Sequence, residues 1–362
     1  MRGLFRVPLL LGVILLSGCG AMDAAYSEER ADGTSNTGGA PPSSESGGDH
    51  SSAPPPSSEA DGTGSGGGVQ AGTLTAGVWD DNLNFAHFVA YRDAVGELAG
   101  LPSFTPEEQQ DARDAFTSRT ARSALEIVLA IDTTGSMGDE IKYLQAEVAA
   151  IASHVAEAYP GVPQRWALVA YRDEKDEYLV RSTDFTTSLE DFQTAVNQLR
   201  ADGGGDIPEA PDAALEAVEA LSWGTGEDIA RLVFVVADAP HHDHNARRFT
   251  DAVRALQARD VRVYPVSSSG SDELFEYSMR AAAQLTGGRY LFLTDDSGVG
   301  GAHKDPTIPC YWVTRLNYAM ERVISSELSG TIIEIDPDKV LRAVGSPVNG
   351  QCQVDEVTFV VF

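Results

Sequence analysis

The chain has 362 residues and a formal net charge of −28, from 54 acidic side chains against 26 lysines and arginines. That length admits one large domain or two small ones. The charge excludes nucleic acid as a partner and electrostatic adhesion to anionic lipid, because no basic patch exists to displace counterions. It favours solubility and the attraction of cations.

At the N-terminus, Met1 to Arg6 carries two arginines, and Val7 to Leu16 is apolar. The run has signal-peptide length and is too short to span a bilayer as an ordinary helix. It ends in Leu16-Ser17-Gly18-Cys19, which resembles the bacterial lipobox. That resemblance implies cleavage before Cys19 and diacylglycerol (with palmitate-like chains) on its thiol, with residues 1–18 removed as a signal peptide. Each buried methylene of such an anchor contributes about 0.8 kcal/mol. Gly20 stands where an aspartate would suggest inner-membrane retention, so the expected location is the cell envelope, anchored to the outer membrane. The competing reading is an ordinary signal peptide with an incidental cysteine.

Residues 19–72 are rich in Gly, Ser, Pro and acidic side chains, as in Gly38-Gly39-Ala40-Pro41-Pro42-Ser43-Ser44. They have too little apolar surface to offset their ordering entropy and are expected to be a flexible tether. Residues 73–122 hold an aromatic-rich stretch (Trp79, Phe85, Phe88, Tyr91) and a helix start at Thr105-Pro106-Glu107-Glu108. This region is too small for its own core and is expected to pack on the main domain.

From residue 123 to 330, strands and helices alternate. Leu125 to Ile131 and Leu232 to Val236 are nearly continuous apolar runs, as expected for strands buried on both faces of a parallel sheet. Trp166 to Tyr171 and Tyr178 to Arg181 suit an antiparallel pair at an edge. Helical spacing follows Ile141, Leu189, Ala214, Phe249 and Leu274, with a final helix over Val313 to Leu328 and shorter strands at Val261 to Val266 and Tyr290 to Leu293. The pattern predicts an α/β fold with an open, doubly wound, mostly parallel sheet. Residues 331–362 contain the alternating Thr331 to Ile335 and the run Val357 to Phe362. They are expected to add strands that pair with Leu74 to Phe88. Beyond Cys19, Cys310 and Cys352 remain, which in an exported chain suggests a disulfide.

In open α/β sheets, ligands bind beyond the carboxyl ends of strands. Asp132 and Asp238 occupy such ends. Alternate residues of an extended loop point the same way, so Asp132, Thr134 and Ser136 can converge as a hard-oxygen set suited to Mg²⁺, Mn²⁺ or Ca²⁺. Equally, Thr134 or Ser136 can cap the following helix. These residues leave both roles open.

Asp132-Thr133-Thr134-Gly135-Ser136-Met137 resembles the DxSxS loop of the von Willebrand factor A family, the first segment of its metal-ion-dependent adhesion site. Asp238-Ala239-Pro240, Tyr171-Arg172-Asp173 and Gly203-Gly204-Gly205-Asp206-Ile207-Pro208-Glu209 are similar to further segments of bacterial members, and together they span roughly Ser123 to Gly330. The resemblance implies the fold just described, with a single antiparallel edge strand. It implies direct ligands from the first loop, Asp238 acting mainly through water, and a partner's acidic side chain completing the site. Asp206 stands where adhesive members carry a threonine, either replacing that ligand or capping a helix that begins near Pro208 with Glu209 in its first turn. His241, His242 and His244, with Arg172 and Asp173, are expected at the rim of the site.

No G-x-S-x-G elbow or G-x-x-x-x-G-K phosphate loop is present, and no small-molecule cofactor is implied. The function expected is a non-enzymatic, metal-dependent protein-binding module. Its rivals are a metal-dependent hydrolase with a histidine of His241 to His244 as general base, and an envelope scaffold that binds no metal.

Overall fold

The computed structural model describes residues 69–95, 104–205 and 207–362. The expectations for residues 1–68, including the signal peptide, Cys19 and most of the tether, lie outside the described residues, as does Asp206.

Two sequences dictate the centre of the molecule. Strand β2 (Ala124–Asp132), ALEIVLAID, and strand β5 (Ile229–Ala237), IARLVFVVA, are buried over almost their whole length. Both are dominated by β-branched and aliphatic side chains that suit a pleated surface covered on both faces. They pair in parallel, Ile131 opposite Val236. β3 (Gln164–Tyr171) lies on the far side of β2, with Asp132 opposite Tyr171. This register brings the C-terminal ends of β2, β3 and β5 to one edge. β4 (Val180–Thr186), β6 (Val261–Ser267) and β7 (Tyr290–Leu293) extend the sheet, β4 antiparallel and the others parallel.

Alternation along β2 divides the core. Leu125, Ile127, Leu129 and Ile131 face one layer, formed by α3 (Ile141–Ala158), α4 (Leu189–Asn197) and α8 (Leu316–Ser329). Val128 and Ala130 face the other, where α5 (Pro211–Glu219), α6 (Ala246–Ala258) and α7 (Glu273–Thr286) pack. Each fully buried aliphatic side chain contributes about 1.5–3 kcal/mol, so both faces hold the sheet. The α/β, mostly parallel architecture is the one expected.

The accessory region is more deeply integrated than its size suggested. β1 (Thr75–Trp79) is a strand of the main sheet, antiparallel between β7 and β8 (Tyr311–Arg315), with Ala76 opposite both Leu293 and Thr314. Gly77 is required there because a Cβ would overlap the Phe292 ring. Glu147 on α3 accepts the backbone N–H groups of Gly72, Thr73 and Leu74 at 2.8, 2.8 and 3.0 Å, fixing the chain as it enters the sheet. Helices α1 (Phe85–Val95) and α2 (Pro106–Phe116) follow. Thr105 caps α2, and its hydroxyl and the Glu108 carboxylate exchange bonds with each other's backbone N–H. Thr105→Ala should therefore cost about 1 kcal/mol, a fall of roughly 2–4 °C in Tm by scanning calorimetry.

The C-terminal third departs from expectation in four places. The segment expected to open the last helix starts instead as β8, whose aromatic and β-branched Tyr311-Trp312-Val313-Thr314 find a partner in β1. Further, β9 (Arg342–Val344) pairs with β8, so the full order is β4-β3-β2-β5-β6-β7-β1-β8-β9. Antiparallel pairing is thus not confined to one edge. Thr331 to Ile335 forms no strand, and Ile332 within it is exposed, leaving its apolar alternation unburied. Finally, β10 (Gln351–Val354) and β11 (Val357–Val360) pair with each other, not with the β1 region.

Cys310 and Cys352 are neighbours, both packed against Gly345, but they are free thiols, so the expected disulfide is corrected. Burial in the apolar layer accommodates them as small hydrophobes. It also pushes the Cys310 thiol up to about 12, with the contact to Cys352 adding to the shift. Among the described residues no helix is long and apolar enough to cross a membrane.

Candidate functional site

At the edge where β2 and β5 end, Asp132 is fully buried. Its Oδ1 accepts the Thr134 backbone N–H at 2.9 Å and the Thr134 hydroxyl at 2.7 Å, and Ser136 Oγ lies 3.2 Å from Thr134 Oγ1. The three predicted residues therefore converge. Ser136 lies within a short 3₁₀ turn, Gly135–Asp139, and neither this turn nor α3 has a side-chain cap. The Thr134 hydroxyl turns to the Asp132 carboxylate, and Ser136 Oγ to Thr134, so neither hydroxyl serves as a helix cap.

Asp238, 5% exposed, comes to the same edge from β5. A third carboxylate arrives unexpectedly. Glu209 was expected in the first turn of a helix beginning near Pro208, yet α5 starts only at Pro211. Proline disfavours helical backbone in the residue before it, and Ala210 is accordingly non-helical, with φ −116° and ψ 53°. Glu209 instead bridges in parallel to His241, and its N–H donates to the Pro240 carbonyl at 2.9 Å. A Cβ placed on Gly204 would lie 3.0 Å from Glu209 Oε1 and 3.1 Å from Thr134 Cβ, so both side chains face that glycine. The two prolines flanking Glu209-Ala210 were the signal in the sequence.

These carboxylates are short of partners. Asp132 Oδ2, Asp238 Oδ1 and Glu209 Oε2 are buried without a hydrogen bond. Burial, and then the neighbouring Asp238, raises Asp132 to about 7. Burial followed by the charges of Asp132, Asp173, Asp176 and Asp238 raises Glu209 to about 9. Burial also raises Asp238. Buried like charges of this kind need either protons or a cation. Among the described residues no three His, Cys, Asp or Glu side chains form a ready-made metal cage. The available donors are carboxylates and hydroxyls, a set that fits a hard divalent ion. The floor opens into a trough of about 910 Å³, with Ser136, Glu209 and Asp238 at its base and walls made largely of Gly203 to Gly205, Gly270, Gly301 and Ala302.

The sequence profile of the von Willebrand factor A domain matches residues 126–298. This part of the chain is a von Willebrand factor A domain. Such domains serve in general as protein-interaction modules. The putative ariadne-like RING finger protein R811 of Acanthamoeba polyphaga mimivirus is 27% identical over 191 residues, covering 48% of this chain and 18% of that protein. The alpha-protein kinase vwkA of Dictyostelium discoideum is 20% identical over 147 residues, covering 40% of this chain and 23% of its own length. The chain thus spans less than a quarter of either curated relative. Among solved structures, the conserved hypothetical protein BatB from Bacteroides thetaiotaomicron aligns with 56% of this chain and 98% of its own, at 13% identity and a TM-score of 0.39.

Around the von Willebrand factor A edge, the residues expected at the rim stand outside the trough lining. None of His241, His242, His244, Arg172 and Asp173 lines the trough. His241 is buried against Phe249, with ring centroids 4.9 Å apart. His242 Nε2 meets Asp173 at 2.6 Å and His244 Nε2 meets Glu174 at 3.0 Å. The His242 and His244 rings lie 5.1 Å apart, each on its own carboxylate, and among the described residues they form no metal-holding group.

The acidic turn Asp173–Glu177 braces three loops. Asp176 accepts the Gly204 N–H at 2.9 Å, steadying the glycine loop. Arg172 donates from Nε to Thr133 O at 3.1 Å and from Nη2 to Arg200 O at 3.0 Å. Tyr178 Oη lies 2.6 Å from Thr133 Oγ1. With His242 on Asp173, this hairpin ties the metal-type loop, the glycine loop and the histidine loop together.

Proposed function

We propose that this protein is a non-enzymatic binding module whose carboxylate-floored trough docks a protein partner around a divalent cation. The observation that carries this reading is the Asp132 carboxylate on the Thr134 hydroxyl beside Ser136, with Asp238 and Glu209, each buried and holding an unpartnered oxygen, lining the adjoining open trough. Asp132 and Asp238, with Thr134 and Ser136, would hold the ion, and Glu209 would add a third carboxylate. When bound, a Mg²⁺, Mn²⁺ or Ca²⁺ ion supplies positive charge and an exchangeable coordination position.

The chain's own residues do the rest. Arg172, Tyr178 and Asp176 hold the loops in register, and the glycine walls let a partner's backbone approach closely. Three carboxylates around one divalent ion leave the loaded floor short of positive charge, so cation retention is favoured over tight capture of a partner's carboxylate. The lipobox-like Leu16-Ser17-Gly18-Cys19 supports placing the module on a lipid anchor in the envelope, with residues 19–72 as its tether.

Titration calorimetry of EDTA-stripped protein with Mg²⁺ and Mn²⁺ tests the metal, and crosslinked capture from envelope extracts tests the partner. Wild type should bind one ion and retain a partner that EDTA releases, while Asp132→Asn should do neither. A wild type that binds no divalent ion and captures the same proteins with and without EDTA would sink the proposal.

A further inference from the structure

The trough has a second buried polar cluster behind the wall made by Ser269, Gly270, Gly301 and Ala302. Glu140, four residues after Ser136, has a side chain that is 1% exposed. Its Oε1 accepts the Ser269 N–H at 3.1 Å and lies 3.0 Å from His303 Nε2. The other imidazole nitrogen, Nδ1, lies 2.8 Å from Asp295 Oδ1, which also accepts the His303 backbone N–H at 3.0 Å. Gly300, at φ +81°, lies so close over the Glu140 carboxylate that a Cβ would collide with it. The Gly270 N–H donates to Ala302 O at 3.2 Å, joining this loop to the β6–α7 turn.

A carboxylate is an acceptor only, so an imidazole with a carboxylate oxygen at each nitrogen must donate from both. His303 is therefore placed as an imidazolium between Glu140 and Asp295. We propose that His303 is a protonation-operated latch holding the wall segment 299–303 over the trough, and that losing the ring proton lets this wall open. The regulatory meaning rests on the trough being the binding face; the latch itself does not.

The charges facing His303 are few. Glu140 comes from the start of α3, and Asp295 from the turn after β7. The adjacent Lys304 is committed to Glu276 on α7, and Asp296 to Arg342 of β9. Asp238 lies within the electrostatic reach of Glu140. Burial by itself would lower His303, but the two carboxylates outweigh it and hold the ring above its ordinary value of 6.5. Burial likewise opposes ionisation of Glu140, yet the bonds from His303 and Ser269 hold it below its ordinary value. A histidine raised in the folded state contributes stability that is complete below 6.5 and lost as pH rises through the raised value. The latch is accordingly closed below 6.5 and opens as pH rises through the raised value.

Hydrogen exchange of the full chain in EDTA, corrected for intrinsic rates, reads the latch at the Gly270 and His303 amides. Wild-type protection should fall at least about tenfold between pH 6 and pH 9. In His303→Gln it should be low at both pH values and change little. Protection that is equal at both pH values in wild type would overturn the latch, as would a His303→Gln protein matching wild type at pH 6. Should that variant fail to fold, NMR titration of the His303 ring in wild type decides: a value above 6.5 supports the latch, and one at or below 6.5 overturns it. Mg²⁺ calorimetry on the same samples is scored separately, so failure of the metal reading leaves the exchange result standing.

Discussion

Asp132→Asn should raise the stability of the metal-free protein at pH 8 while abolishing its response to divalent cations. Asparagine keeps the oxygen that accepts the Thr134 N–H and hydroxyl, and it removes a charge buried beside Asp238. A carboxyl whose folded pKa is raised contributes stability below its unfolded value and loses it as pH climbs towards the folded value. For Asp132 that window runs from its ordinary 3.8 to about 7, and for Glu209 from 4.5 to about 9.

Metal-free wild type should therefore weaken steadily from mildly acidic to alkaline pH, Asp132 alone accounting for on the order of a few kcal/mol. The asparagine variant should lose much of that slope. Cation binding displaces the protons, so wild-type affinity should rise by up to about tenfold per pH unit for each proton released. Differential scanning calorimetry in EDTA and in MgCl₂ from pH 5 to pH 9 measures both effects. An asparagine variant less stable than wild type throughout, or equally stabilised by Mg²⁺, would contradict this account.

A comparable loss is expected at the end of β1. Asp81→Ala should destabilise the protein by about 3–5 kcal/mol, the usual consequence of stranding a buried charge. Asp81 follows β1 and takes Arg280 in a bidentate pair, at 2.8 Å from Nη2 and 3.0 Å from Nε, and it also accepts the Trp79 indole N–H at 3.0 Å. Arg280 is wholly buried, and after the substitution it retains Glu276, the Thr307 carbonyl and the face of the Tyr91 ring. Next to it Asp80 pairs with the equally buried Arg289, which also reaches Glu327.

The midpoint should fall by roughly 10 °C. The double variant Asp81→Ala/Arg280→Met should recover a large part of this, because the buried guanidinium is gone and Glu276 keeps Lys304 and the Thr307 N–H. A single variant within about 1 kcal/mol of wild type would show that these pairs are not what anchors β1.

How far the sequence could be read depended on the range of the forces involved. Continuous apolar runs identified β2 and β5 because a strand covered on both faces has no other composition open to it. Period-two spacing placed Asp132, Thr134 and Ser136 together, since their convergence needs only five consecutive residues. The Thr105 cap was visible for the same reason. Glu209 was half legible: the flanking prolines barred a helix, but its aim towards Thr134 depends on the bridge to His241. The bracing role of the acidic turn was illegible because nothing local shows that Gly204 and His242 lie beside it.

By itself, then, the sequence determined the alternation of strands and helices, the doubly wound α/β sheet, and the oxygen-bearing loop at the end of its first central strand. Hydrophobic period, turn chemistry and strand-end position are local quantities. Only the tertiary structure decided that β1 threads between β7 and β8, that Glu209 joins the carboxylate floor, and that His303 bridges Glu140 and Asp295. Each of these joins residues far apart in the chain, and their energy comes from charges excluded together from water. Neither composition nor spacing records such a meeting.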